Sequence, residues 1–462
     1  MSRPKRRTLK YTLFLFLFYI YVLFKVTFER NQEQPHQHKK LLSIDFHIGP
    51  VRDVKDLMLR TGELRSVEVV DESLSGHCHL VDTCAKDLHV VNQANGMSLG
   101  DCPNELKWKF WKSYVSDAWM DSFAGFLCEH SIALCEIYMA FGKPMILIAS
   151  TRYEVGRQGK EAWKRLNENL QAISLNPDNT LAANNLYDLE YLKHFTGIQN
   201  IKLLPSQCLY VNATYQPTKN EFLIGPSRLS KGAEAILHGE EGLFRYLAGY
   251  GPRPVPNFVP LREIYAEYEF VDLARHPGIL IMPYQVSIMS LFEYYAMNIP
   301  MFVPTVELLV KWQTEHLIMD ELSWNCVLSS CNKSSLIPAH PSSPHNLDPN
   351  DVLDPVTLRY WLKFADFYQW PGIVYFRDWE DLVAKAMNTD LVEISAIMRE
   401  YKRDETQKTL KMWQNIMRPL FLAKRKSPVT RRLEHSLKRD QWETIVKTNY
   451  PTLRAESVSL TC

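Results

Sequence analysis

One carboxylate in the sequence lies between two apolar segments. Glu293 belongs to VSIMSLFEYYAMNIPMFVP, residues 286–304, whose apolar spacing predicts a helix followed by a short buried strand. The polar turn from Ser287 to Ser290 precedes that helix, and its backbone N–H groups and the helix dipole would attract an anion. Glu293, further along the helix, would accept hydrogen bonds from neutral hydroxyls. The alternative is a helix-surface role for Glu293 and a capping role for Ser287.

A glycine and two cations follow the predicted strand EFLI. In GPSRLSKG, residues 225–232, Gly225 would let the backbone approach a phosphate, and Arg228 and Lys231 would neutralise its charge. An ordinary basic turn explains these residues equally well.

Polar residues also follow three predicted strands in the first half of the chain. They are Glu129 and His130 after SFAGFLC, Arg152, Tyr153 and Glu154 after PMILIAS, and Asn184 and Asn185 after TLAA. A His or carboxylate at a strand end is well placed to take a proton from a hydroxyl group. We expect His130 to be this base, with Asp121 or Glu129 in reserve. Arg152 could instead pair with Glu154 in a purely structural role.

The elements that position these residues alternate in type. Apolar runs predict strands at 122–128, 144–150, 180–185, 201–206, 221–224, 278–284, 301–303 and 373–376, with helical patterns between most of them. Such alternation is typical of parallel sheets covered by helices on both faces. We therefore predict an α/β protein with two doubly wound, Rossmann-like domains facing a cleft. Ligands of such sheets bind beyond the carboxyl ends of the strands, where the candidate residues lie.

The amino terminus predicts a membrane anchor. Residues 1–10 are rich in Lys and Arg, and residues 11–28 form an apolar run interrupted only by Lys25. No small-residue cleavage site follows, which favours a type II signal anchor over a cleaved signal peptide. We expect a cytosolic tail, a single transmembrane helix, and the bulk of the chain in the lumen of the Golgi or endoplasmic reticulum.

The rest of the chain is divided by composition. We predict a polar luminal stem over residues 29–75, a first domain over 76–215, a second domain over 216–400, and C-terminal helices with a basic tail over 401–462. A segment rich in Pro, Ser and Asn near residues 334–355 is predicted to be a surface excursion.

The nine cysteines are expected to form disulfides in an oxidising lumen, with at least one left over because their number is odd. Cys326 with Cys331 is the favoured local pair. Cys78 and Cys84, close to two histidines, predict a loop staple rather than a metal site.

Other functional classes fit the sequence poorly. The formal net charge of +1 over 462 residues argues against nucleic acid as a principal ligand. The letters GMSLG at 96–100 match the nucleophile motif of serine hydrolases, but Asp101-Cys102-Pro103 follows where that motif requires a helix.

Two segments together resemble a known superfamily. Residues 283–293, with Pro300 seven positions after Glu293, resemble the nucleotide-sugar motif of GT-B-fold glycosyltransferases. The resemblance implies that Glu293 accepts hydrogen bonds from the ribose hydroxyls of a donor nucleotide, with Tyr284, Ser287 and Ser290 beside it.

The second segment, residues 221–232, is similar to the strand end by which many GT-B enzymes place an Arg and a Lys on the donor phosphates. That would be the role of Arg228 and Lys231 beside Gly225, although their spacing is shorter than in the superfamily pattern.

The resemblance implies a membrane-anchored luminal glycosyltransferase that uses a UDP- or GDP-linked sugar as co-substrate and a glycan or glycoconjugate as acceptor. No other cofactor and no metal are expected, since the chain lacks the Asp-x-Asp that a metal-dependent GT-A enzyme uses. The acceptor-side candidates are Arg152, Tyr153, Glu154, Asn184 and Asn185. The alternative is a catalytically inactive GT-B-like carbohydrate-binding or scaffold protein of the secretory pathway.

The topology leads to the first testable prediction. Two N-glycosylation sequons begin at Asn212 and Asn332, and both would face the glycosylation machinery if the chain enters the lumen. Glycosidase treatment of the protein expressed in cells should remove mass that the double variant Asn212→Gln/Asn332→Gln lacks, and amino-terminal sequencing should show an uncleaved chain. An unglycosylated cytosolic product would contradict the luminal topology.

Overall fold

The computed structural model describes residues 38–60, 62–100, 102–251, 254–328, 331, 334–422 and 438–454. The predicted anchor at 11–28, the sequon residue Asn332 and most of the basic tail lie outside these residues. Within the described ranges, no helix is both long and apolar enough to cross a bilayer.

The described chain alternates strands and helices. The strands are β1 (Lys39–Asp45), β2 (Val67–Ser73), β3 (Phe123–Cys128), β4 (Met145–Ala149), β5 (Thr180–Ala183), β6 (Lys202–Leu203), β7 (Glu221–Gly225), β8 (Asn257–Pro260), β9 (Ile279–Ile281), β10 (Met301–Pro304) and β11 (Ile373–Phe376). The helices of the first half are α1 (Ile48–Arg60), α2 (Pro103–Tyr114), α3 (Ala118–Ser122), α4 (Lys160–Ser174) and α5 (Leu186–Thr196). Those of the second half are α6 (Lys231–His238), α7 (Leu243–Ala248), α8 (Leu261–Ile264), α9 (Phe270–Leu273), α10 (Met289–Ala296), α11 (Val306–His316), α12 (Trp324–Leu328), α13 (Pro355–Leu362), α14 (Trp379–Asn388), α15 (Leu391–Leu422) and α16 (Arg439–Asn449).

The first sheet has six strands in the order β2-β1-β3-β4-β5-β6. The pairs from β1/β3 to β5/β6 are parallel, and every residue of β4 is buried, because helices cover both faces of the sheet. The chain passes from β1 outward to β2 and then from β3 to β6 in the opposite direction. The direction of winding therefore reverses between β1 and β3.

The second sheet has five strands in the order β11-β10-β9-β7-β8, and all of its neighbouring strands are parallel. Its winding reverses between β7 and β9, where Ile224 lies opposite Leu280. The prediction of two doubly wound parallel α/β units is confirmed.

The predicted polar stem is wrong from Lys39 onward. Residues 39–73 form β1, α1 and β2 at one edge of the first sheet. Their apolar residues are short runs separated by charges: Leu41, Leu42 and Ile44 in β1 are fully buried, and α1 buries apolar residues on one face only. This amphipathic spacing lowers the average hydropathy of the segment and gives it the composition of a linker.

The spacing of LREIYAEYEFVDLARH, residues 261–276, predicts one continuous helix, and this prediction is also wrong. The segment forms two short helices, α8 and α9, which are separated by extended residues at Tyr265 and Glu269. The backbone N–H of Glu269 is bonded to the side chain of Asp272, which closes a capping box and starts a new helix.

The insert after residue 334 is not a simple surface excursion, because it binds the first half of the chain. His345 and Asn350 are buried. The His345 Nε2 atom lies 2.8 Å from Glu190 Oε2, and Asn350 Nδ2 donates to the Tyr191 hydroxyl at 2.9 Å. Both partners belong to α5, so the insert ties the second half to a helix that covers the first sheet.

The long helix α15 makes a second connection between the halves. Its residues Trp413, Ile416 and Met417 belong to the apolar cluster that contains Leu41 and Val51 of the first sheet and its helix. The chain thus returns from the second sheet to pack against the first.

Three disulfides join pairs of described cysteines, and Cys102 is also disulfide-bonded. The three pairs are Cys78–Cys84, Cys128–Cys135 and Cys326–Cys331. The last confirms the favoured local pair, and the first confirms the predicted loop staple. Cys208 is buried and free.

The insert provides a test of how the halves are held together. Asn350→Ala removes hydrogen bonds to Tyr191 and Ser335 from a buried position and should lower the free energy of unfolding by about 1–3 kcal/mol. Asn346→Ala, at an exposed position of the same insert, should change it by less than about 0.5 kcal/mol. Urea unfolding measures both, and equal effects would show that the Asn350 contacts do not stabilise the fold.

Candidate functional site

A cavity of about 400 Å³ lies where the two sheets reverse their winding. Its first wall follows the carboxyl ends of β1, β3, β4 and β5, and its second wall follows β9 and the start of α10. In parallel sheets these reversals leave a crevice because the adjacent connections run to opposite faces. Here the two crevices share one cavity.

Two histidines meet at the reversal point of the first sheet. His47 follows β1 and His130 follows β3, and their ring centroids are 5.6 Å apart. The backbone N–H of Phe46 donates to the carbonyl of His130 at 2.8 Å, which fixes the two strand ends to each other. The Cys128–Cys135 disulfide closes the loop that carries His130.

The predicted base, His130, lines this cavity. Burial, the nearby His47 and the positive charge of Arg152 together lower the pKa of His130 to about 3, and burial has the largest effect. The imidazole is therefore neutral at physiological pH and can accept a proton.

His47 is a site residue that the sequence prediction missed. It is solvent-exposed and lines the cavity next to His130. A His directly after a run of apolar residues is the available signal, but the polar composition around that run predicts a stem. His47 Nδ1 accepts a hydrogen bond from the backbone N–H of Gly49 at 3.1 Å, which orients the ring.

The two reserve candidates for the base do not reach the cavity lining. Glu129 is buried, and burial together with the carboxylates of Asp53, Asp45 and Asp71 raises its pKa well above the usual range. Asp121 is exposed in α3, before β3 begins, and a six-residue strand separates it by about 20 Å from the end that carries His130.

The acceptor-side candidates divide into two groups. Arg152 and Asn184 line the cavity, whereas Tyr153, Glu154 and Asn185 are buried and do not. These three have partners inside the first half. The Tyr153 hydroxyl donates to Asn167, Glu154 accepts from the Tyr191 hydroxyl at 2.8 Å, and Asn185 caps α5 by accepting from the backbone N–H of Asp188.

The second wall contains Tyr284, Ser287 and Ser290 from the predicted nucleotide motif. Ser287 does not cap the helix: the N-cap of α10 is Ile288, and the Ser287 hydroxyl donates to Asp366 Oδ2 at 2.5 Å. Burial raises the pKa of Asp366 well above its usual range. This contact holds the polar turn against the core while the first residues of α10 face the cavity.

Glu293 has a partner within the protein. The Tyr210 hydroxyl donates to Glu293 Oε1 at 2.7 Å, and the guanidinium of Arg52 lies 4.4 Å from the centroid of the Tyr210 ring. Burial raises the pKa of Glu293, while the Tyr210 hydrogen bond and the charge of Arg52 oppose that rise. Glu293 is one helical turn beyond the cavity-lining Ser290.

The predicted phosphate-binding cations lie outside the lining of the cavity. The Arg228 guanidinium is bound by both Asp320 oxygens, at 3.0 and 2.9 Å, and lies 4.6 Å from the centroid of the Tyr284 ring. Lys231 is exposed at the start of α6.

Gly225 is placed between packed residues rather than at open space. A Cβ atom there would lie 3.2 Å from Ile279 Cγ2 and 3.4 Å from the Tyr294 hydroxyl. The glycine therefore allows β7, β9 and α10 to approach closely. Among the described residues, no cluster of His, Cys, Asp or Glu side chains is arranged to hold a metal ion.

Comparisons with known proteins give only weak similarities. No protein family and no curated protein matches this sequence. The crystal structure of the glycotransferase of kitacinnamycin is 13% identical over 83% of this chain and 98% of its own, with a TM-score of 0.35. The glycosyltransferase SnogD from Streptomyces nogalater is 12% identical over 82% of this chain and 100% of its own, with a TM-score of 0.37. The glycosyltransferase VinC in complex with DTDP is 11% identical over 83% and 100%, with a TM-score of 0.34.

Similarity at these identities and TM-scores does not define the class of this chain. Its class follows instead from its own two parallel sheets, which agree with the fold class predicted from the sequence.

The buried carboxyl of Glu154 gives a prediction about pH. Burial raises its pKa from 4.5 to about 7, partly offset by the Tyr191 hydrogen bond and the charge of Arg152. Because the folded pKa is above the unfolded one, the stability that Glu154 contributes is complete below pH 4.5 and is lost as pH rises through 7.

Glu154→Gln cannot ionise, so its free energy of unfolding should rise relative to wild type by about 3 kcal/mol between about pH 4 and pH 8. Urea titrations at several pH values measure this difference. Glu161→Gln, at an exposed position of α4, is the matched control and should show a flat difference. A flat difference for Glu154→Gln as well would show that burial does not disfavour the Glu154 carboxylate.

Proposed function

We propose that this protein is a metal-independent glycosyltransferase that transfers a sugar from a nucleotide-sugar donor to a glycan or glycoconjugate acceptor. The observation that supports the proposal most is the shared cavity, to which the reversal points of both sheets contribute polar side chains. A transfer reaction needs two ligands in one place, and this arrangement offers a separate wall to each.

The donor is proposed to bind the second wall. The turn before α10 would receive the diphosphate, since the helix N-terminus favours negative charge, and Tyr284 and Ser290 line the same wall. Glu293 would accept hydrogen bonds from the ribose. Tyr210 occupies only Glu293 Oε1, and a carboxylate has capacity for several further donors. Arg228 and Lys231 would contribute positive charge at the rim.

The acceptor is proposed to bind the first wall, where His130 takes the proton from the acceptor hydroxyl as its oxygen bonds to the anomeric carbon of the donor sugar. The bond between that carbon and the donor diphosphate breaks in the same step, and the nucleoside diphosphate remains at the second wall as the leaving group. Its neutral state supports this role, although a pKa of about 3 makes it a weak base. The exposed His47 beside it is the second candidate for the same step.

A non-catalytic carbohydrate-binding or scaffold protein is the alternative, and one observation favours it. Arg228 and Glu293, two predicted donor contacts, are already engaged by Asp320 and Tyr210. Purified protein that binds UDP- or GDP-linked sugars but neither hydrolyses them nor transfers the sugar to an acceptor would support this alternative. Turnover of either nucleotide sugar would exclude it.

We also propose a luminal location, in the Golgi or endoplasmic reticulum, with residues 11–28 as a type II signal anchor. The disulfides within the described residues support an oxidising compartment, and Asn212 is exposed as a glycan acceptor must be.

The role of Glu293 is the most direct test of the donor site. Glu293→Ala should weaken binding of UDP or GDP by about 2–4 kcal/mol, because charge-assisted hydrogen bonds contribute roughly 1.5–3 kcal/mol each and are not fully additive. Glu293→Gln should lose less, and 2′,3′-dideoxy nucleotides should bind wild type and Glu293→Gln almost equally. Isothermal titration calorimetry measures these affinities, and circular dichroism checks folding.

Two further variants sharpen the result. Tyr210→Phe removes the internal donor to Glu293 and should bind nucleotides as tightly as wild type or more so. Glu234→Ala, at an exposed position of α6, is the control and should leave binding unchanged. Unchanged binding by Glu293→Ala would rule out the proposed ribose contact.

A further inference from the structure

Arg152 is a buried cation in the wall of the cavity. Arg152 follows the end of β4 and is only 1% exposed, yet it lines the cavity. Its Nη2 atom donates to Gln285 Oε1 at 3.1 Å and to the backbone carbonyl of Glu321 at 2.5 Å. Both acceptors are neutral and belong to the second half of the chain, so Arg152 spans the junction of the two walls.

The rest of the guanidinium lacks hydrogen-bond and ion-pair partners, and its Cζ atom lies 6.0 Å from the centroid of the Trp324 ring. Neither Nε nor Nη1 of Arg152 has a hydrogen-bond partner, and no carboxylate among the described residues lies within ion-pair distance of it. Arg157 provides a comparison within the same loop: it is 2% exposed, but its Nε atom is 3.0 Å from Glu136 Oε2. A buried charge without a counter-charge is costly, and proteins normally avoid it.

The nearby acids make their closest polar contacts with other residues, although one oxygen each of Glu154 and Asp188 has no hydrogen-bond partner. Glu154 accepts from Tyr191, Asp188 accepts from Asn185, and Glu321 is 3.3 Å from the guanidinium of Arg228. The charge of Arg152 lowers the pKa values of Glu154, Asp188 and Glu321 without forming an ion pair with any of them. It also lowers the pKa of His130 in the cavity lining, after the larger effects of burial and His47.

A second donor lies beside it. The hydroxyl of Ser150, which also lines the cavity, is buried and has no hydrogen-bond partner. Two cavity-lining residues, two positions apart in the sequence, thus each contain buried N–H or O–H groups without an acceptor, and one of them carries a charge.

We propose that Arg152, with Ser150, binds an anionic oxygen group, a phosphate or a carboxylate, of the ligand that occupies the cavity. The anion supplies the missing counter-charge and accepts hydrogen bonds from the donors that the protein leaves free. The inference rests on the proposed function for the source of the anion, which is either the diphosphate of the donor or an acidic sugar of the acceptor.

The test measures thermal shifts and calorimetric affinities of the purified protein with four probes: UDP, sodium phosphate, glucuronate and, as the neutral counterpart of glucuronate, glucose, at constant ionic strength. At least one anion should raise the Tm of the wild type, while glucose at the same concentration should give a smaller shift. This comparison requires no variant. If no anion binds the wild type, the proposal is wrong.

Three variants then locate the binding. Arg152→Gln should weaken the affinity for that anion about ten- to a hundredfold, as expected for loss of charge-assisted hydrogen bonds. Arg152→Lys, which keeps the charge but loses the planar fork, should fall between Arg152→Gln and wild type. Arg245→Gln removes one exposed cation from α7 and should bind as wild type does. Equal affinity in Arg152→Gln and wild type would overturn the proposal.

The probes also separate this inference from the proposed function. UDP binding that depends on Arg152 assigns the anion to the donor, and glucuronate binding that depends on Arg152 while UDP binding is retained assigns it to the acceptor. UDP binding that is independent of Arg152, with no response to the other anions, leaves the glycosyltransferase proposal intact and refutes the anion site. Phosphate binding that depends on Arg152, without any nucleotide binding, would support the anion site and contradict the glycosyltransferase proposal.

Discussion

The reversal of winding in each parallel sheet is the constraint on which the site depends. Between β1 and β3, and again between β7 and β9, the connections leave in opposite directions and open a crevice at the carboxyl ends of the strands. Because all the described neighbouring pairs of the second sheet and most of the first are parallel, those ends collect at one edge. His47, His130 and the turn before α10 reach one cavity for this reason, although they come from distant parts of the sequence.

Two kinds of contact hold the walls of that cavity in position. The insert joins the halves through buried polar pairs such as Asn350 with Tyr191, whereas α15 joins them through apolar packing in which Trp413 takes part. Buried hydrogen bonds are directional and fix orientation, while apolar contacts contribute most of the free energy. Tyr191 also donates to Glu154, so the polar contact made by the insert continues into the core behind Arg152.

The sequence predicted those parts of the fold whose signal is local. Strands buried on both faces, such as β4, are continuous apolar runs and are easily recognised. β2 lies at the edge of the first sheet with β1 beside it, and charged residues flank their short apolar runs. The composition of this segment therefore predicts a stem and gives no signal for His47. Contacts between distant residues could not be predicted either. Tyr210 is 83 positions from Glu293, and Asp320 is 92 from Arg228, and only tertiary packing brings such pairs together.

The Cys128–Cys135 bridge makes the order of the His130 loop depend on an oxidising environment. Cys128 is the last residue of β3, and the bridge closes a loop with a sequence separation of 7 that contains His130. Such a covalent link removes the extended conformations that the loop would adopt if it opened locally. In a reducing environment the two thiols would separate and only noncovalent contacts would hold the histidine. The redox state of the surrounding compartment therefore affects how firmly the His130 imidazole is held in place.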